Sequence, residues 1–172
     1  EGLQRLEYRG YDSSGVSVID HEGNLSVQKA AGRLANLESL VADDLPDSSI
    51  GIGHTRWATH GPPTDRNAHP HLGGGCANGQ GHSVAIVHNG VVENYHSIKA
   101  RLEVEGYVFQ SETDSEVIAH LIDSSLKQIL SKGPRLTDDA TDSPCVMAVR
   151  EAISQLRGTY GLLVLFQDQP DL

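Results

Sequence analysis

Short runs with strand character and longer runs with helical spacing occupy separate blocks of this chain, and that segregation limits the fold more than any other feature. In the first block Val16-Ser17-Val18-Ile19 reads as a strand, His21-Glu22-Gly23-Asn24 has hairpin chemistry, and Leu25 to Lys29 forms the return strand. Leu34, Leu37, Leu40 and Val41 recur at helical spacing before the acidic turn Asp43-Asp44-Leu45-Pro46-Asp47. Ser49 to His54 and Ser83 to His88 are further expected strands, separated by a polar loop of Pro, Asn, His and Gly. The second half turns helical. Asn94 precedes a helix on Ile98 and Leu102, stopped by Gly106, and Thr113-Asp114-Ser115-Glu116 has capping-box spacing before Val117, Ile118, Leu121, Ile122, Leu126 and Ile129. Val149, Ile153 and Leu156 predict a last helix closed by Gly158, followed by a strand over Tyr160 to Phe166. Lys132 to Pro144 reads as a polar surface insertion. Hairpins among the strands, with helices in their own blocks, predict a layered, mainly antiparallel α+β domain.

At 172 residues the chain is sized for one domain with a real core. Its formal charge of −10 argues against nucleic acid or an anionic membrane surface as the main partner. The run Tyr160 to Phe166 is too short to span a bilayer, and no charged leader with an apolar stretch opens the sequence. Two cysteines, Cys76 and Cys145, make no disulfide framework, so a reduced cytoplasmic setting is expected. Glu1 opens without Met into Gly2-Leu3-Gln4-Arg5-Leu6-Glu7, read as a helix tail, and Leu172 falls just after a strand. The sequence is therefore expected to be cut at both ends.

Seven of the nine histidines fall between His54 and His96, which marks that segment for chemistry. His54-Thr55-Arg56-Trp57-Ala58-Thr59-His60-Gly61 leaves a strand for a loop. Such a loop suits gripping a carboxylate or phosphate, or else is an ordinary strand end with a buried Trp and a surface Arg. Asn67-Ala68-His69-Pro70-His71 with Cys76 has a loose resemblance to metal-ligand spacing, but falls short of a paired zinc motif, so no metal is assigned. Gly73 to Gly81 matches no phosphate-binding fingerprint and reads as a connection between strands. His88-Asn89-Gly90 offers two donors for a developing oxyanion, yet Asn-Gly is above all a turn dipeptide and locally the turn is favoured. Asp114 reads as a helix cap unless a ligand ammonium lies near it.

In order along the chain these motifs say more than they do singly. Residues 5–15 (Arg-Leu-Glu-Tyr-Arg-Gly-Tyr-Asp-Ser-Ser-Gly), 53–61 (Gly-His-Thr-Arg-Trp-Ala-Thr-His-Gly), 67–71 (Asn-Ala-His-Pro-His), 88–94 (His-Asn-Gly-Val-Val-Glu-Asn) and 111–117 (Ser-Glu-Thr-Asp-Ser-Glu-Val) stand in register. This pattern resembles the glutaminase domain of the class II amidotransferases, specifically the isomerising glutamine–fructose-6-phosphate aminotransferase (glucosamine-6-phosphate synthase) family. The resemblance runs from Glu1 to about Gly161.

The resemblance implies a four-layer αββα sandwich of the amino-terminal-nucleophile hydrolase type, truncated at both ends, with residues 1–172 a partial glutaminase domain and the isomerase domain absent. It implies an amino-terminal cysteine nucleophile, which this sequence does not contain, so the chain by itself is expected to lack activity. Asn89 and Gly90 would form the oxyanion hole. Arg56, Thr59, His60 and Asp114 would bind glutamine, and Trp57 would gate ammonia. Arg9 and His69 would support the site. The implied partners are glutamine and, in the absent domain, fructose 6-phosphate; no metal or organic cofactor is implied, and the parent is expected to be a cytoplasmic homodimer. The alternatives are a non-catalytic glutamine-binding module or another class II member such as amidophosphoribosyltransferase.

Overall fold

The computed structural model describes residues 1–58, 61–74, 82–132 and 143–171. Two three-stranded antiparallel sheets form its middle. The first has the order β2-β1-β3, from β1 (Ser13–Ile19), β2 (Leu25–Ala31) and β3 (Ile50–Arg56). The second has the order β4-β5-β6, from β4 (His71–Gly74), β5 (His82–Val92) and β6 (Gly158–Phe166).

Helix α1 (Leu34–Asp44) covers the outer face of the first sheet, where Leu34 and Leu37 bury against Ala30 with Leu3, Val16 and Val41 around them. Helices α2 (Tyr95–Val104), α3 (Glu116–Lys132) and α4 (Pro144–Gln155) cover the second sheet. There Val84 and Ile86 of β5 meet Val117, Ile118, Leu121 and Ile122 of α3. Between the sheets Ile19, Ala85 and Leu165 pack with Leu25, Ile50, Ile52 and Leu72. Three apolar seams thus separate four layers, and the fold is the expected αββα sandwich.

Strand periodicity explains how one strand serves two seams. Alternate side chains of a strand point to opposite faces. Val84, Ile86 and His88 therefore face α3, whereas Ala85, Val87 and Asn89 face the first sheet. On β3, Ile50 and Ile52 enter the same inter-sheet space, and His54 and Arg56 follow on that face.

Several local expectations are corrected. The opening residues form only a 3₁₀ turn, Glu7–Arg9, in place of a helix tail. Asn89-Gly90 is no turn, because β6 runs beside it and pairs Asn89 with Gly161 and Gly90 with Tyr160. Gly73 and Gly74 belong to β4, where Gly73 lets the strand lie against the Ala119 backbone. The capping box does not close: Glu116 turns back to the N–H groups of Gln110 (2.9 Å) and Ser111 (2.7 Å). Helix α1 continues through Asp43 and Asp44. Helix α4 starts at Pro144 because Ser143 caps it, its Oγ accepting from Val146 N–H at 3.3 Å. Asn94 does sit at the start of α2, but its side chain ties that helix to Gln155 and Arg157 rather than capping it. Most of the 132–144 insertion, and residues 75–81 of the Gly-rich stretch, lie outside the described residues. No helix among the described residues is long and apolar enough to cross a membrane.

Candidate active site

At the end of the inter-sheet space where β3 finishes, the apolar filling stops and a cleft of about 610 Å³ opens. Its walls include Arg9, His54, Arg56, Trp57, His69, Asn89, Gly90 and Asp114. The structure thus brings together every expected site residue that it describes; Thr59 and His60 lie outside the described residues.

Arg56 is only 4% exposed. Its guanidinium donates to the carbonyls of Gly61 (3.3 Å) and Pro62 (3.5 Å) in the loop that follows β3. Burial pulls its pKa down, against the pull of Asp12 and Asp114 in the other direction. Those carboxylates keep a buried cation tolerable. The loop itself is stapled down by Asn67, whose Nδ2 donates to the Pro62 carbonyl (2.9 Å) and whose Oδ1 accepts from Glu112 N–H (2.9 Å). Asp12 accepts from Ala58 N–H at 2.8 Å and fixes the exit of β3. Trp57 is not the buried ring that the ordinary strand-end reading supposes. It is 58% exposed and meets Tyr11 edge-on, with ring centroids 5.3 Å apart.

Across the cleft, Gly90 adopts φ +147°, and a Cβ there would run into the Thr159 carbonyl of the neighbouring strand. Only glycine fits this close pairing. Asn89 turns its side chain toward the first sheet, with Oδ1 2.8 Å from His54 Nε2. Asp114 is also 4% exposed, and its Oδ2 accepts from Val92 N–H at 2.7 Å. That bond ties the segment before α3 to the end of β5, so Asp114 works as a staple beside the cleft and not as the helix cap suggested by its position. Ser115 similarly reaches His88, with Oγ 2.8 Å from Nδ1.

Three imidazoles run in a row inward from the cleft wall, of which His54 and His69 line the cleft. His69 lies between His54 and His71, with centroid distances of 4.5 Å and 4.7 Å. Among the described residues neither ring nitrogen of His69 has a hydrogen-bond partner, and burial holds its pKa well below the ordinary value, assisted by the neighbouring His71. Burial, and next Lys29, bring His71 down to about 3; its Nε2 lies 3.1 Å from Thr113 Oγ1. Gly15 makes room for this row, since a Cβ on it would strike the His69 carbonyl. The histidines read as possible metal ligands are stacked against one another, and no group of three or more His, Cys, Asp or Glu among the described residues is placed to hold a metal.

Cys145, at the start of α4, is buried in the core on the helical side of the second sheet, and burial pushes its thiol up, away from the reactive thiolate. Cys76 lies outside the described residues. Sequence reasoning missed Asp12, His88, Ser115 and above all His54 as site-shaping groups. For His54 the signal was present: it stands two residues before Arg56 on one strand and so shares its face.

A family profile described as a glutamine amidotransferase domain matches residues 76–172. Glutamine–fructose-6-phosphate aminotransferase (isomerising) of Pseudomonas putida is 47% identical over 99% of the chain, which covers 25% of that protein. The enzyme of the same name from Acinetobacter baylyi is also 47% identical over 99% of the chain and 24% of its own length. Among solved structures, the glutamine phosphoribosylpyrophosphate amidotransferase of B. subtilis superposes with a TM-score of 0.68 at 27% identity, over 96% of this chain and 31% of that one. The chain spans about a quarter of the length of these curated relatives.

Proposed function

The chain belongs to the glutamine amidotransferase family, and from that premise we propose that it is the glutaminase part of an isomerising glutamine–fructose-6-phosphate aminotransferase. In this reading it releases ammonia from glutamine, and a further domain uses that ammonia to make glucosamine 6-phosphate from fructose 6-phosphate. The observation that carries the reading is the meeting of Arg56, Asp114 and the Asn89-Gly90 pair in one cleft. A buried guanidinium complements an α-carboxylate, and a buried carboxylate complements an α-ammonium. The Asn89 amide and the Gly90 N–H then supply donors to the oxygen of a side-chain amide as it takes on charge. Glutamine carries those three groups.

The reaction needs a thiolate that adds to the amide carbonyl, expels ammonia and leaves a thioester for water to hydrolyse. Family resemblance assigns that thiol to an amino-terminal cysteine, and the environment of Cys145 does not suit it for the role. Thr59 and His60 would close the post-β3 loop over the substrate, and exposed Trp57 would gate the departing ammonia. Arg9 would order the rim. His69, as part of the imidazole row, would support the cleft wall. The parent would be a cytoplasmic homodimer. The relation to the phosphoribosyl-transferring enzyme supports the shared glutaminase chemistry, while 47% against 27% identity favours the hexose-phosphate member.

The test is a glutaminase assay on the longest natural chain that contains these residues, with Arg56→Ala and Asp114→Ala beside the wild type. Glutamate release from L-glutamine, with KM raised in both variants, is the expected result. Turnover indifferent to both changes would sink the assignment.

A further inference from the structure

The oxyanion-hole reading of Asn89 leaves one matter open: a carboxamide has two faces of opposite polarity, and only its NH₂ end can stabilise an anion. We propose that His54 is the positioning residue that decides which end faces the cleft. This inference rests on the function proposed above.

One side-chain hydrogen bond joins the two sheets at the cleft. His54, on β3, places Nε2 2.8 Å from Oδ1 of Asn89, on β5. An amide oxygen only accepts, so Nε2 must carry the proton, and the Asn89 NH₂ is turned away from the ring. The other tautomer would reverse this. An unprotonated Nε2 would accept from the amide NH₂ and leave the oxygen, a partial negative charge, to face the developing oxyanion.

The surroundings choose between the two. Nδ1 of His54 is shut off from solvent and has no hydrogen-bond partner among the described residues. A proton placed there would be a buried, unpaired N–H, which is costly, whereas a proton on Nε2 has an acceptor waiting. The ring also stays neutral: burial first, and the nearby Arg56 charge, hold its pKa down, although the bond to Asn89 pulls the other way. His69 closes the back of the ring at 4.5 Å and offers no competing bond. The imidazole is held as a single-proton donor aimed at one atom. Because the strand period also sends Arg56 to this face, β3 supplies both the group that holds the substrate carboxylate and the group that sets the polarity of the oxyanion hole.

The inference separates binding from turnover. Asn89 acts on charge that develops in the transition state, so loosening it should lower kcat and leave KM, set by Arg56 and Asp114, nearly unchanged. In the longest natural chain that contains these residues, His54→Leu should lower glutaminase kcat by about 10- to 100-fold with KM within about twofold. His54→Gln, whose amide NH₂ can still donate to Oδ1, should recover most of that loss. In an Asn89→Ala background His54→Leu should have no further effect, since its whole action passes through Asn89. The wild-type protein supplies a check that needs no variant: long-range ¹H–¹⁵N spectra should show His54 in the Nε2–H form at neutral pH. An Nδ1–H ring, multiplicative losses in the double variant, or a loss confined to KM would each overturn the inference while leaving the proposed function in place. A wild-type rate for Asn89→Ala would instead overturn the oxyanion-hole reading, and this inference with it.

Discussion

The space between the two sheets has an apolar end and a polar end, and the same strands build both. At the apolar end Ile50 and Ile52 of β3 meet Ala85 of β5 and Leu165 of β6, with Ile19 of β1 beside them. Two to four residues further along, the same faces of β3 and β5 carry His54, Arg56 and Asn89. The first end is held by dispersion and exclusion of water, which ask only for apolar groups of the right volume. The second keeps a cation and several imidazoles largely out of water beside an exposed carboxamide, Asn89, and each depends on particular partners. Ser13 Oγ, His54 Nδ1 and both nitrogens of His69 are buried there without a hydrogen bond among the described residues. The sandwich thus uses its sealed end to hold rigid an open end that would not cohere alone, an arrangement expected of functional sites.

If the two ends have these separate duties, substitutions should part them. The largest effect belongs to the polar end: Asn89→Ala is expected to lower glutaminase kcat by on the order of 10²- to 10³-fold, about 3–4 kcal/mol of barrier, with the melting temperature little changed. Turnover and thermal melts measured on the same preparation check both halves. Leu165→Ala should do the reverse, removing about 3 kcal/mol of folding stability by opening a cavity between the sheets while KM for glutamine holds. Denaturant unfolding reads the first, and an unchanged midpoint would show that the apolar end is not the anchor. Arg56→Lys keeps the charge but not the planar fork, so KM should rise roughly 10- to 100-fold with kcat nearly intact.

The last effect concerns pH. His71 is held down to about 3 by burial first and then by Lys29, whereas its unfolded value is 6.5. Between those values the unfolded chain binds a proton that the folded one refuses. Stability is therefore complete above pH 6.5 and declines as pH falls toward 3, by up to about 1.4 kcal/mol per pH unit for this one group. His71→Gln cannot titrate, so its stability should fall less steeply between pH 6.5 and 5. Equal slopes in wild type and variant would remove His71 from the account.

The apolar end and the outer seams were largely legible in the sequence, because burial of β-branched and leucine side chains leaves a periodic trace. Val84, Ile86 and Val87 marked β5, and the spacing from Val117 to Ile129 marked α3. What periodicity missed came from partners distant in sequence. Asn89-Gly90 looked like a turn because the dipeptide is one in isolation, and only β6, some seventy positions later, keeps it extended. The 113–116 segment looked like a capping box, yet Asp114 answers to Val92 and Glu116 to Gln110 and Ser111. The roles proposed for Arg56, Asn89 and Asp114 come from resemblance, not from spacing. His54 escaped both routes, although its place two residues before Arg56 put it on the same face.

The claim on which the rest depends is that the polar end of this seam is shaped for glutamine. Calorimetric titration with L-glutamine, using the longest natural chain that contains these residues, addresses it most directly, with D-glutamine and an Arg56→Ala variant as references. The account predicts saturable binding of the L form, weakened roughly 10-fold or more in the variant and absent or far weaker for the D form. Equal affinity for both enantiomers, or binding untouched by the loss of Arg56, would contradict it.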